Sequence, residues 1–142
     1  MDELWLIGRI LYCALFIGAG IGQLADLEGS TRYAESRGVG SAARASVIAS
    51  GVAFIVGGVS ILLGIWGDLG ALLLIVTLLP LTFLMHRFWA DRDPAERQTQ
   101  FSMFMKNLAL IGGAVLIFSW FARDRFGFGL PYTITDGAFS LS

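Results

Sequence analysis

The chain has 142 residues, of which 56% are hydrophobic and only 15% charged, with a formal net charge of −1. Soluble domains carry about 25% charged residues, so this composition excludes an ordinary water-soluble globule and a disordered chain. Near-neutral charge without a basic patch also argues against nucleic acid as a partner. The expected surrounding is the lipid bilayer, in keeping with a mean hydropathy of +0.71.

A membrane-crossing helix needs about 20 mostly apolar residues. The first such stretch is 4–24, interrupted only by Arg9, Gln23 and small residues. It follows Met1, Asp2 and Glu3 where a cleaved signal peptide would be basic, so it is expected to stay as a helix. Residues 25–44 form a loop holding Arg32, Arg37 and Arg44 among acidic residues, with a short interfacial helix expected around 30–36, ending at Gly38. The second span, 45–66, carries no charge, and Gly67 and Asp68 are read as its tight turn into the third, 69–88, which contains Pro80. In the next loop Asp93 has the chemistry of an N-cap, Pro94 of a first helical residue and Glu96 of a capping-box partner. The last helix is therefore expected from 94 to 121, entering the membrane a turn or two after its start.

These spans predict an all-α integral membrane four-helix bundle, up-down-up-down, with helices at about 4–24, 45–66, 69–88 and 94–121. Residues 1–121 form one transmembrane domain. The tail, 122–142, with Phe126, Gly127, Phe128, Gly129 and Pro131, is expected to lie at the interface or dock on a partner. Arginines near the membrane favour the cytoplasmic side. Arg32, Arg37, Arg44, Arg87, Arg92 and Arg97 lie on the loop side, against Arg123 and Arg125 on the other. Both termini are thus expected outside a bacterial inner membrane.

Lipid tails are as apolar as leucine, so helices associate where small side chains let backbones approach. The second span carries Ser46, Ser50, Ala53, Gly57, Ser60, Gly64 and Gly67 in a heptad stripe, whose period of about 3.5 predicts left-handed packing. The first offers Gly18 and Gly22, with Gly20 beside them, and the fourth Gly112 and Gly113. The stripes read most simply as bundle seams. The alternatives are a dimer face or the close wall of a flat cofactor.

Polar residues at membrane depth are functional candidates. Arg9 either snorkels or finds an internal partner. Gln23, Thr82, His86, Trp89, Lys106 and Asn107 all belong to one membrane side in an up-down bundle, and Thr82 shares a helical face with His86. Such a group suits hydrogen bonding to a carbonyl or a lipid headgroup. Trp89 reads equally as an aromatic-belt anchor. One histidine and one cysteine exclude a bis-histidine haem and a thiolate metal set, so no metal ligands and no catalytic residues are assigned.

The segments Gly8-Arg9 through Gly20 to Gln23-Leu24, Gly57-Gly58 to Gly64, His86-Arg87-Phe88-Trp89, and Lys106-Asn107 to Gly112-Gly113 together resemble the DoxX family of small bacterial membrane proteins, in order and spacing over about residues 4–121. The resemblance implies a four-helix inner-membrane protein, in a family whose name comes from a subunit associated with quinone-linked sulfur oxidation. It points at Arg9, His86, Trp89, Lys106 and Asn107. Two positions depart from the family pattern. Gln23 stands where a lysine is frequent, and Phe54 stands where a glutamate is frequent. Loss of that carboxylate points away from proton-linked chemistry and toward an accessory role. The expected function is a non-catalytic subunit of a membrane redox or respiratory assembly, contacting other subunits or further copies of itself. A partner protein, or a quinone as a non-covalent ligand, would bind near His86, Trp89, Lys106, Asn107, Thr82, Gln23 and Arg9. The alternatives are a free-standing quinone-linked oxidoreductase and a small-solute or lipid transport component.

Overall fold

Five α-helices follow one another in the computed structural model, which describes residues 2–123, 133–135 and 138. They are α1 (Asp2–Ala25), α2 (Leu27–Ser36), α3 (Ala43–Leu63), α4 (Gly67–Met85) and α5 (Pro94–Ala122), with short 3-10 turns at Gly40–Ala42 and Phe88–Ala90. All except α2 are long and apolar enough to cross a membrane. They run alternately up and down: α3 packs between α1 and α4, α5 packs on α4, and α2 lies across the α3 end of the bundle. The chain is a multi-pass helical membrane bundle.

The interior is built from Cys13, Phe16, Phe54, Ile61, Leu74, Leu78, Ile117 and Phe121. Large apolar side chains cover the outside as well: Leu11 is 69% exposed, Leu116 71% and Val76 59%. Water would penalise such a continuous apolar surface, whereas acyl chains would not. Aromatic side chains bridge α1 to α5. Trp5 meets Trp120 at 4.7 Å between ring centroids, and the Tyr12 hydroxyl donates to the Leu110 carbonyl at 2.6 Å.

Three helix boundaries differ from the sequence reading. The α3–α4 turn is at 64–66, not at Gly67 and Asp68. Gly64 adopts φ 66°, the left-handed conformation that ends helices cheaply only at glycine. Asp68 instead enters the first turn of α4, where a carboxylate complements the helix dipole. Trp66 is also left-handed, at φ 48°, a strained setting for a non-glycine residue. Its amide donates to Thr135 Oγ1 at 2.8 Å, and the Ile134 and Thr135 amides donate to Gly64 O. These two tail residues are thus held on the turn of their own chain; the aromatic segment Phe126 to Pro131 lies outside the described residues.

The second difference is at the end of α4, which stops at Met85 with His86 as its cap. Trp89 falls in the following 3-10 turn, so it does not share a helical face with His86. The start of α5 is as expected: the Asp93 carboxylate accepts from the Glu96 amide at 2.9 Å and Pro94 follows as first helical residue. The short interfacial helix exists but begins earlier, at Leu27, because Asp26 caps it by accepting from the Gly29 amide.

The seams also differ in their glycines. A Cβ on Gly20 would stand 2.6 Å from the Gly51 carbonyl oxygen, so here α1 and α3 touch backbone to backbone. Gly58 meets Ile17, and Gly57 meets Leu74 and the Gly70 carbonyl. Gly18, Gly22 and Gly112, assigned to packing from spacing, face nothing within 4 Å among the described residues. Gly113 packs on Tyr12 as expected.

Candidate functional site

The small-residue stripe of α3 divides in two. Its Gly57–Ser60 half closes on α4: Gly57 and Gly70 face each other, and Ser60 lies against Gly70. Its Ser46–Ala53 half stays open. There Ser46, Ser50 and Ala53 form one wall of a cavity of roughly 410 Å³. Thr77, Pro80 and Leu81 of α4 form the opposite wall, Gln23 of α1 reaches in from the side, and Ala34 and Val39 close the end beneath α2. Proline contributes to the opening. Pro80 has no amide hydrogen to give, so the α4 backbone is less tightly tied there.

Gln23 is the polar anchor of this cavity. Its amide nitrogen donates to the Val47 carbonyl at 2.8 Å and to Ser50 Oγ at 2.6 Å. The Ser50 hydroxyl in turn donates to Val47 O at 3.2 Å, and Thr77 donates to Leu73 O at 2.8 Å. A second cavity, of roughly 460 Å³, continues the α3–α4 face toward Trp66, and Leu73 lines both.

A polar cluster occupies the same end of the bundle, beside the cavity. Arg37, just past α2, pairs with Asp91 through both guanidinium ends at 2.9 and 3.1 Å and donates to the Met85 carbonyl at 2.7 Å. The Arg87 guanidinium returns a bond to the Arg37 carbonyl. His86 Nδ1 lies 2.8 Å from Gln100 Oε1, while the Gln100 amide nitrogen donates to Glu96 and, at 3.3 Å, to the Tyr33 hydroxyl. These contacts tie α2, the end of α4 and the start of α5 into one cap. The Arg37 hydrogen bond holds the Asp91 carboxyl below the ordinary carboxylate range.

The structure scatters the residues singled out from sequence. His86 joins the cap. Thr82 is buried but spends its hydroxyl on its own helix, at Leu78 O. Asn107 is buried, whereas Lys106 is exposed with its ammonium 3.5 Å from the Met103 sulfur. Trp89 is 53% exposed and meets Phe88 and Phe104 edge-on. Gln23 belongs to the cavity rather than the cap. Arg9 sits at the opposite end, 1% exposed, donating to the Ile61 and Leu62 carbonyls at 3.0 and 2.6 Å. A cation there satisfies the last carbonyls of α3 and complements its dipole. It is an internal partner of the bundle and does not snorkel. Sequence reasoning missed Arg37, Asp91 and Tyr33, whose partners lie dozens of residues away. Among the described residues no three His, Cys, Asp or Glu side chains gather as a metal site.

A sequence model described as DoxX matches residues 4–87, covering α1 through α4. No curated protein and no solved structure matches the chain.

Proposed function

From the premise that this chain belongs to the DoxX family, we propose that it is a non-catalytic subunit of a bacterial inner-membrane redox assembly and that its open α3–α4 cavity takes a quinone. One observation carries the reading: the cavity of roughly 410 Å³, apolar along most of its wall and polar at Gln23, Ser46 and Ser50. Ligand pockets for small molecules fall in about this size range and combine apolar walls with a few placed polar groups. Small side chains on α3 leave the width that a flat ring needs. This choice moves the ring away from His86, Trp89 and Lys106. Trp89 and Lys106 are exposed beside the cap and suit contact with a partner subunit instead.

A non-catalytic role fits the chemistry at hand. Cys13 is fully buried, which removes the one thiol from exchange chemistry. The arginine-rich cap faces the cytoplasm on this reading and Arg9 the outside, by the positive-inside rule. The test is purification from native membranes in mild detergent, with mass spectrometry of co-purifying chains and extraction of bound lipids. Stoichiometric redox subunits and a bound quinone are expected. A chain recovered alone and without quinone would overturn the proposal.

A further inference from the structure

The hydrogens of Gln23, Ser50 and Thr77 in the cavity are already allocated, and the allocation is one-sided. Both hydrogens of the Gln23 amide are spent, one on Val47 O and one on Ser50 Oγ. The orientation of that amide is fixed, because turning it over would set its oxygen against the Val47 carbonyl. The Ser50 and Thr77 hydroxyl hydrogens go to backbone carbonyls. The Gln23 amide oxygen is left accessible and accepts nothing among the described residues. What the site offers from Gln23 is therefore an acceptor. Ser46, which can donate or accept, does not alter that balance.

Two further features define the ligand. No charged side chain among the described residues lines either cavity, so a phosphate, carboxylate or ammonium head would be buried without a partner ion from them. Among the described residues the second cavity is apolar apart from the Trp66 indole N–H and Ser60, whose hydroxyl is committed to the Ile65 and Trp66 carbonyls. The ligand is thus neutral at one end and apolar along the rest, with its head at Gln23 and its chain passing Leu73 toward Trp66.

Resting on the quinone reading above, we propose that this site binds the reduced form in preference: a quinol whose ring hydroxyl donates to the Gln23 amide oxygen. A quinone carries only acceptors there, and its carbonyl would meet the Gln23 oxygen unpaired. One hydrogen bond made against one refused predicts quinol binding about tenfold tighter than quinone. A tenfold preference raises the midpoint potential of the bound two-electron couple by about 30 mV.

The experiment is anaerobic calorimetric titration of the whole chain in nanodiscs with a decyl-tailed benzoquinol and, separately, the matching benzoquinone. The quinol is expected to bind about tenfold tighter. Gln23→Met is expected to abolish the preference, and Gln23→Lys, which replaces the acceptor by donors, to reverse it. Equal affinities, or tighter quinone binding, would overturn the acceptor assignment while leaving the quinone site standing. A preference retained in Gln23→Met would overturn it too. If neither form binds, the quinone reading itself fails. Should Gln23→Met not fold, the two wild-type titrations still decide.

Discussion

The two halves of α3 carry the same kind of side chain and do opposite things. Around Gly57 and Gly58 the small residues let α1 and α4 press onto the backbone. Around Ser46, Ser50 and Ala53 they leave roughly 410 Å³ unfilled. The difference lies in what faces them. Gly57 meets a second glycine, Gly70, whereas the Ser46–Ala53 half meets Thr77 and Pro80. A small-residue stripe therefore closes backbone to backbone where a second glycine faces it, as Gly70 faces Gly57; opposite Thr77 and Pro80 it becomes a wall.

Substitutions on the closed half should cost most. In Gly57→Leu the first added carbon alone would stand 2.7 Å from Leu74 Cδ2 and 3.0 Å from the Gly70 carbonyl. Overpacking of this kind costs about 3 kcal/mol, and the thermal midpoint in detergent should fall sharply. A Gly57→Leu protein that melted like wild type would erase the distinction between the halves. Arg9→Met removes the donors to Ile61 O and Leu62 O at the same closed end. Orphaned buried carbonyls cost about 1–3 kcal/mol, to be read from the same melts.

A paired substitution sharpens the comparison on α1. Gly20→Ala meets the Gly51 carbonyl at 2.6 Å, while Gly18→Ala meets nothing within 4 Å. The first should cost about 2 kcal/mol and the second stay within about 0.5 kcal/mol of wild type. Equal effects would mean that α1 presents a different face to α3.

The smallest effect is at the cap over the open half. Asp91 is held below the ordinary carboxylate range by Arg37, so the pair stabilises the cap above the unfolded-state value. That stabilisation is lost as pH falls through the depressed folded value, below about pH 4. Amide exchange in α2 should rise there in wild type, and Asp91→Asn should show faster exchange already at neutral pH. Unchanged α2 exchange in both would remove Arg37 and Asp91 from the account of the cap.

Much of this architecture was legible from sequence because hydropathy and capping are local. The spans, the Asp93–Pro94 start of α5 and the α3 stripe all follow from residues close together in the chain. Helix rotation is not local. Gly18, Gly20 and Gly22 offer two interleaved small faces, and only the position of Gly51 selects Gly20. The α3–α4 turn was misplaced because Gly64 and Gly67 are both plausible breaks, and tail residues 133–135 hold the chain at 64–66. The site was least legible. Arg37 and Asp91 are 54 positions apart, and Gln23 read as one of a converging set at the bundle end until α3 was found beneath it.

The open half is the central claim, and filling it is the direct test. The A49L/A53L pair places two larger side chains into the cavity wall and leaves Gln23 and Ser50 unchanged; Val52→Leu, on the lipid-facing side of the same helix, serves as control. Each protein would be purified from native membranes and its bound quinone extracted and quantified. Quinone retained by wild type and Val52→Leu but lost from A49L/A53L, with all three equally folded, is the predicted result. Equal quinone content in all three would contradict the account and place the ligand elsewhere on the bundle.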